Sequence, residues 1–186
     1  MSLSFTGLFA GAGGLDLGFE LAGFDHGLST DIDEWSVKSL KDNRSSWDVV
    51  EADVTDISSS DLPDTDVMLS GFPCQGFSLG GNRQASDERN YLFKDVVRLA
   101  KDRRPRYVII ENVLNLRTMT EPTSGKPFID VIASEFESLG YHVRFDVFRV
   151  SDHGVPQTRR RFIFIASRDE FPKSFMWPLR EETTTA

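Results

Sequence analysis

A single cysteine, Cys74, lies in the sequence GFPCQGFS of residues 71–78. A lone cysteine is most often a small buried hydrophobic residue. Here it follows an apolar stretch and a proline and precedes a polar, glycine-rich stretch, and this location favours an exposed, reactive thiol. A thiolate used as a nucleophile needs an acid partner and a cofactor or substrate nearby. The segment therefore predicts nucleophilic chemistry at Cys74.

An acid that could serve this chemistry is Glu111, which with Asn112 and Val113 follows the apolar run VII of residues 108–110. A carboxyl group at the mouth of a buried strand has its pKa raised by desolvation and can donate a proton. The alternative is a structural acid that pairs with a nearby arginine. The basic run QTRRR of residues 157–161 is by itself typical of a solvated turn.

The sequence FAGAGG of residues 9–14 places glycines between a predicted strand and a predicted helix, where a ligand can approach the backbone closely. A bare tight turn is the alternative. A nicotinamide fingerprint needs a third glycine where this chain has Asp16. This difference counts against pyrophosphate binding and leaves room for a zwitterionic ligand.

Two acids follow the next two predicted strands. Asp31 is placed to accept hydrogen bonds from ribose hydroxyls, although a solvated acid or a helix cap is the simpler interpretation. Asp53 could accept from an adenine amino group, and an ordinary loop acid is equally consistent with its position.

Apolar periodicity predicts strands that alternate with helices. The predicted strands are 3–9, 24–31, 49–54, 66–70, 107–110, 143–150 and 161–166, and the predicted helices are 15–22, 33–42, 92–101 and 128–139. Asp33 and Gly140 are the expected helix caps, residues 76–90 a mobile loop and residues 114–127 irregular. The pattern predicts an α/β fold with a doubly wound, mostly parallel sheet and antiparallel C-terminal strands. Ligands bind beyond the carboxyl ends of such strands, so the residues singled out above share one rim.

The composition narrows the class of protein. Hydrophobic residues make up 39% and charged residues 27%, which is typical of a soluble globular domain. No apolar run approaches the ~20 residues of a membrane span, and no secretory leader precedes Phe5. One cysteine excludes a disulfide framework and a Cys-rich zinc site, which fits the cytoplasm. The net charge of −8 argues against a free-standing nucleic-acid binder, although basic residues cluster at 101–106 and 159–161.

Four segments, in this order, resemble the motifs of the DNA cytosine-5 methyltransferase family. Residues 9–14 resemble its cofactor loop, residues 73–75 its nucleophile motif, residues 111–113 its acid motif and residues 157–161 its late basic motif. The resemblance extends to about residue 168. It implies a Rossmann-like catalytic domain over residues 1–168, S-adenosylmethionine as cofactor, double-stranded DNA as substrate, and a prokaryotic or phage source.

The resemblance implies a mechanism on a cytosine that is rotated out of the duplex. Cys74 is expected to add to C6, and Glu111 to contact N3 and the exocyclic amine. Arg161 is expected to hold the carbonyl at C2, with Arg159 supporting the site. C5 then takes the methyl group, a base such as water removes the C5 proton, and Cys74 leaves.

The resemblance also assigns binding residues. Asp31 is expected to bind the ribose and Asp53 the adenine amino group, and Ile32 stands where family members often carry an aromatic residue. The other residues expected around the cofactor are Phe9 and Pro73 beside the adenine, Gly13, Gly14 and Leu15 facing the methionine end, and Gly11, Val54 and Leu92 close by. Gln75, Ser78 and Asn112 are expected to contact DNA, and no metal is expected.

The family normally continues with a target-recognition domain and a C-terminal Asn-containing motif, and neither is found after Phe171. The tail of residues 169–186 is therefore interpreted as the start of a missing recognition region. The chain is expected to be one subunit of a split enzyme or a piece of a longer protein, and by itself to methylate DNA poorly.

Three other functions are left open. An RNA cytosine-5 methyltransferase acting on tRNA is the first, but its nucleophile motif tends to carry Pro-Pro-Cys where this chain has Phe72, Pro73 and Cys74. A non-catalytic cofactor-binding relative is the second, and the intact set of Cys74, Glu111 and Arg161 argues against it. A dinucleotide-dependent oxidoreductase is the third, which Asp16 disfavours.

Overall fold

A seven-stranded sheet forms the centre of the computed structural model, which describes residues 2–73 and 88–179 apart from the side chain of residue 88. Its strands are β1 (Ser4–Leu8), β2 (Asp25–Asp31), β3 (Val49–Glu51), β4 (Val67–Ser70), β5 (Tyr107–Asn112), β6 (His142–Arg149) and β7 (Arg160–Ser167). They lie in the order β3-β2-β1-β4-β5-β7-β6. The first five in this order pair in parallel, and β7 pairs antiparallel with both β5 and β6. The predicted sheet, mostly parallel with antiparallel C-terminal strands, is confirmed.

Helices cover both faces of the sheet. They are α1 (Gly14–Leu21), α2 (Glu34–Asn43), α3 (Phe93–Arg103) and α4 (Phe128–Ser138). The main core lies between α3, α4 and one face of β5 and β7, where Val108, Ile110, Phe162 and Phe164 are fully buried. On the other face α1 packs over Phe5 and its neighbours in β1 and β4. Both faces are apolar because β4 and β5 carry nearly continuous hydrophobic runs, as buried parallel strands do.

The two predicted helix caps are confirmed. The Asp33 carboxylate accepts from the backbone N–H of Ser36 at 2.7 Å and so satisfies an unpaired donor in the first turn of α2. Gly140 adopts a φ of +82° and donates its N–H to the Glu137 carbonyl, which ends α4 in the left-handed turn that glycine tolerates best.

Two strand ends differ from the predicted ones by more than one residue. β5 runs two residues further than predicted, because Glu111 and Asn112 pair with Ile163 and Phe162 of β7. Both residues therefore belong to the strand, and their side chains point to opposite faces of the sheet. β3 ends at Glu51, so Asp53 lies in the loop beyond it.

Residues 169–179 pack along the strands although they contain no helix or strand. Asp169 accepts from Arg106 at 2.9 Å, and the Arg144 guanidinium lies 5.0 and 5.1 Å from the ring centres of Phe171 and Phe175. These contacts fix the end of the described chain against β6.

The regions predicted to be irregular carry short 3₁₀ turns where they are described. Residues 88–91 and 114–117 form such turns, and an isolated bridge joins Thr120 to Pro127. The rest of the predicted mobile loop, residues 76–87, lies outside the described residues. None of the helices in the described part of the chain has the length and apolar character needed to cross a membrane.

Candidate active site

The carboxyl ends of the parallel strands border a pocket of about 550 Å³. Seven of the residues predicted to surround a cofactor line it: Phe9, Asp31, Ile32, Asp53, Val54, Pro73 and Leu92. They come from the ends of four strands and from the start of α3. A topology in which neighbouring parallel strands all end on one rim brings together residues that are up to 83 positions apart, counted from Phe9 to Leu92.

A second cavity of about 430 Å³ adjoins the first and shares Phe9 with it. Gly14 and Leu15 of α1 form one side of this cavity, and Gly71 and Glu111 form another. Phe9 stands between the two spaces with a φ of +55°, a conformation that costs a non-glycine residue about 1–3 kcal/mol. Such strain is typical of functional turns.

The three glycines of the turn at residues 11–14 have different surroundings. Gly11 donates its N–H to the Asp31 carboxylate at 2.7 Å. Gly13 has a φ of +81°, and a Cβ added there would lie 2.4 Å from Leu40. Gly13 thus packs against α2, and its placement toward the methionine end stays a prediction. Gly14 has no such neighbour, and its position is open.

Asp31 links three segments of the rim. One carboxylate oxygen accepts from Gly11, and the other accepts from the backbone N–H of Asp33 at 2.9 Å. A carboxylate has about four acceptor sites, so these two bonds leave capacity for ribose hydroxyls. Ile32 lines the pocket wall and is 64% exposed, so it offers apolar surface to a ligand.

The loop that carries Asp53 is held by an arginine that the sequence analysis missed. Arg98 of α3 donates to the carbonyls of Ile57 at 2.9 Å and Val54 at 3.0 Å, and Asp95 accepts from the same guanidinium. Asp53 in turn accepts from Thr55 through both the backbone N–H and the hydroxyl. Nothing in the sequence indicates that Arg98 contacts residues more than 40 positions away.

Tyr91, which lines the larger pocket, is a second residue that sequence reasoning missed. Its hydroxyl donates to Glu121 at 2.7 Å, and the Glu121 carboxylate also accepts from the backbone N–H groups of Thr123 and Ser124. These hydrogen bonds, the one from Thr123 foremost, hold the pKa of Glu121 far below its ordinary range. The hydrogen bond to Glu121 raises the pKa of Tyr91. The hydrogen bond between Tyr91 and Glu121 connects the pocket wall to the segment between β5 and α4.

Glu111 forms an ion pair with Arg161, whose Nε lies 2.6 Å from the Glu111 Oε1. The two residues share a face because Glu111 pairs with Ile163, two residues along β7 from Arg161. Burial raises the pKa of the Glu111 carboxyl, and the charge of Arg159 opposes this shift. Of the two interpretations left open by the sequence, the arginine-paired acid is observed, and the proton donor stays a prediction that the raised pKa favours.

Asn112 points into the opposite face and is 2% exposed. Its Nδ2 donates to the Phe72 carbonyl at 3.2 Å, and its Oδ1 accepts from the backbone N–H of Val113. Its side chain holds the segment before Pro73 against the end of β5. The DNA contact of Asn112 stays a prediction.

Three predicted site residues, Cys74, Gln75 and Ser78, lie outside the described residues. The described chain reaches Pro73 in the wall of the larger pocket, and Gly71 shares the smaller cavity with Glu111. Arg159 is exposed beside β7. Within residues 2–73 and 88–179, no group of three or more His, Cys, Asp or Glu side chains is arranged to hold a metal ion.

The chain is similar to known proteins over nearly its whole length. The model of the family described as C-5 cytosine-specific DNA methylase matches residues 3–185. The chain is 39% identical over 170 residues to the Type II methyltransferase M.DdeI of Desulfomicrobium norvegicum, covering 89% of this chain and 40% of that protein. It is 39% identical over 194 residues to the Type II methyltransferase M1.HphI of Haemophilus parahaemolyticus, covering 100% of this chain and 51% of that one. The chain therefore spans about half the length of these relatives.

Solved structures share the fold. A crystal structure described as a DNA modification methyltransferase encoded within an E. coli prophage superimposes with a TM-score of 0.80 at 27% identity, over 99% of this chain and 53% of that one. The structure of Spodoptera frugiperda DNMT2 superimposes with a TM-score of 0.74 at 19% identity, over 100% of this chain and 55% of that one. The second likeness concerns the fold alone.

Proposed function

Because the chain belongs to the C-5 cytosine-specific DNA methylase family, we propose that it is the catalytic part of an enzyme that transfers a methyl group from S-adenosylmethionine to C5 of cytosine in DNA. One observation carries the proposal. The acid Glu111, the glycine-rich turn at Gly14 and the segment that leads to Cys74, through Gly71, share one cavity of about 430 Å³. This convergence supports a site in which acid, nucleophile and cofactor act on one substrate.

The residues of the two cavities fit S-adenosylmethionine. The pocket of about 550 Å³ has a size typical of cofactor sites, and Phe9, Pro73 and Leu92 give it apolar walls for an adenine ring. Asp31 and Asp53 supply acceptors for the ribose hydroxyls and the adenine amino group. The smaller cavity leads to Gly14 at the N-terminal end of α1, where backbone N–H groups favour a carboxylate.

When bound, the cofactor supplies an electrophilic methyl group on a sulfonium. The protein must make cytosine C5 nucleophilic, and in the proposed mechanism the thiolate of Cys74 does so by forming a bond to C6 of the extruded base. The electron pair displaced from the C5–C6 double bond is drawn toward C5 and N3. Loss of the C5 proton after methylation lets the C6–sulfur bond break and restores the thiolate.

Glu111 is proposed to stabilise this intermediate by donating a proton to N3. A raised pKa suits the task because it increases the protonated fraction of the carboxyl near neutral pH. Arg161 orients the Glu111 carboxyl through its Nε, and its remaining guanidinium N–H groups are proposed to donate to the oxygen at C2. Arg159 balances the buried negative charge when Glu111 is ionised.

The remainder of the enzyme is proposed to be a recognition part, either as a second subunit or as the rest of a longer polypeptide. The chain spans about half of its relatives, and its net charge is −8. A polyphosphate substrate needs positive surface that this half supplies only locally.

Covalent trapping tests the proposal. The chain, supplied with its recognition part and S-adenosylmethionine, is incubated with a duplex that contains 5-fluorocytosine at the target position. Fluorine at C5 blocks the final elimination, so we expect a covalent adduct on a denaturing gel. Cys74→Ser should abolish the adduct while still binding S-adenosylhomocysteine in calorimetry. Cofactor and DNA binding without an adduct would favour the non-catalytic alternative, and methyl transfer to tRNA but not to duplex would favour the RNA enzyme.

A further inference from the structure

The last residue pair of the β6–β7 ladder consists of two arginines. Arg149 lies directly opposite Arg160, and both side chains are exposed. The Cβ atoms of opposed residues in an antiparallel pair are about 4.5–5.5 Å apart, and like charges placed there destabilise the sheet. Within residues 2–73 and 88–179 neither guanidinium forms an ion pair or hydrogen bond with a carboxylate. The pair thus concentrates two uncompensated positive charges.

The position of this pair relates it to the candidate active site. Arg160 precedes Arg161, which pairs with Glu111, and alternation along β7 directs the two arginines to opposite faces of the sheet. The charge of Arg159, which precedes β7, acts on the Glu111 carboxyl on the same face as Arg161. The rim therefore carries positive charge on both faces, in a chain whose net charge is −8.

We infer that Arg149 and Arg160 together bind one backbone phosphate of duplex DNA beside the extruded cytosine. Two guanidinium groups can surround a phosphate with several charge-assisted hydrogen bonds, and the phosphate removes the repulsion between them. A single shared phosphate follows from the short spacing across the ladder. This inference rests on the proposed function, because it takes duplex DNA as the substrate.

The test measures how the affinity of the full chain for a fluorescent duplex depends on salt. Fluorescence anisotropy gives this affinity in the presence of S-adenosylhomocysteine, at salt concentrations from about 50 to about 200 mM. Each neutralised phosphate contributes about 0.9 to the slope of log affinity against log salt. Either single variant, Arg149→Gln or Arg160→Gln, leaves one guanidinium on the shared phosphate and should lower this slope by less than about 0.9. The double variant leaves none and should lower it by about 0.9, since both arginines share one phosphate. Arg168→Gln, exposed beyond the other end of β7, is the matched control and should leave the slope unchanged.

A second readout is thermal stability without DNA. Relief of the repulsion should raise the Tm of Arg149→Gln or Arg160→Gln by about 1–3 °C, whereas Arg168→Gln should not. A double variant whose slope equals that of the Arg168 control would overturn the inference, and so would a slope change of about 1.8 in the double variant. Equal binding of a polyglutamate peptide, lost in the same variants, would assign the pair to an acidic protein partner instead.

The failure of this inference is distinguishable from failure of the proposed function. Covalent trapping at Cys74 reports the reaction and does not need the pair to hold a phosphate. Normal trapping with control-like slopes removes the phosphate site alone, whereas absence of trapping in the wild-type chain removes the methyltransferase proposal.

Discussion

At the scale of a single residue, two opposing influences act on the pKa of Glu111. Burial raises the pKa of its carboxyl, and the positive charge of Arg159 lowers it. Arg161 holds the same carboxyl at 2.6 Å. An acid that must donate a proton and then carry a negative charge needs both influences, because each favours one of its two states.

The pH dependence of methyl transfer should follow this balance. A general acid works while it is protonated, so the rate should fall as pH rises through the raised pKa of Glu111. Arg159→Gln removes the influence that lowers this pKa and should shift the falling limb of the kcat profile to higher pH. Glu111→Gln should reduce kcat about 10²–10⁴-fold and abolish that limb.

Profiles of kcat against pH for the enzyme assembled with its recognition part would measure both effects. Arg168→Gln serves as the control, because it removes a distant positive charge. A falling limb that moves to lower pH in Arg159→Gln would contradict the assignment of Glu111 as the donor.

At the scale of the elements, helix α3 packs in the core and also holds the loop after β3. Its amphipathic pattern does not indicate this second role. Its buried face packs in the main core, whereas Arg98 reaches the loop after β3 and caps two of its carbonyls. This contact holds Asp53 and Val54 at the pocket wall. The geometry of the proposed adenine site thus depends on how one helix sits against one loop.

Loss of the Arg98 contacts should weaken cofactor binding. Each hydrogen bond from a charged donor contributes about 1.5–3 kcal/mol, so Arg98→Met should raise the Kd for S-adenosylhomocysteine at least about 10-fold. Arg98→Lys should recover part of the affinity, since it keeps the charge without the planar fork. Lys101→Met, exposed on the same helix, is the control. Calorimetric Kd values of Arg98→Met and Lys101→Met that agree would show that the loop does not depend on Arg98.

The chain has a complete sheet but about half the length of its relatives at the scale of the whole molecule. Its core is closed on the α3–α4 face, where the aromatic residues of β7 are fully buried. We therefore expect the chain to fold and to bind the cofactor by itself, whereas recognition of a DNA sequence needs base contacts for which the described rim offers few groups.

We expect the chain by itself to bind the cofactor but not to methylate DNA efficiently. The purified chain should bind S-adenosylhomocysteine but transfer little methyl group from tritiated cofactor to duplex DNA. Addition of the recognition part should raise the rate by orders of magnitude, because holding the target base in the reactive orientation removes a large entropic part of the barrier. Comparable turnover by the chain alone would show that recognition is not divided in this way.

The sequence by itself determined the alternation of strands and helices, the caps at Asp33 and Gly140, and the placement of the glycine-rich turn, Asp31, Asp53, Pro73 and Glu111 on one rim. These features follow from local periodicity and from the rule that parallel strands end on the same side.

Tertiary structure decided the remaining features of the site. The pairing of β5 with β7 extended β5, so that Glu111 met Arg161 while Asn112 turned inward. Strand register likewise placed Arg149 opposite Arg160. Side-chain alternation assigns faces once pairing is known, but pairing is set by packing between residues far apart in the chain.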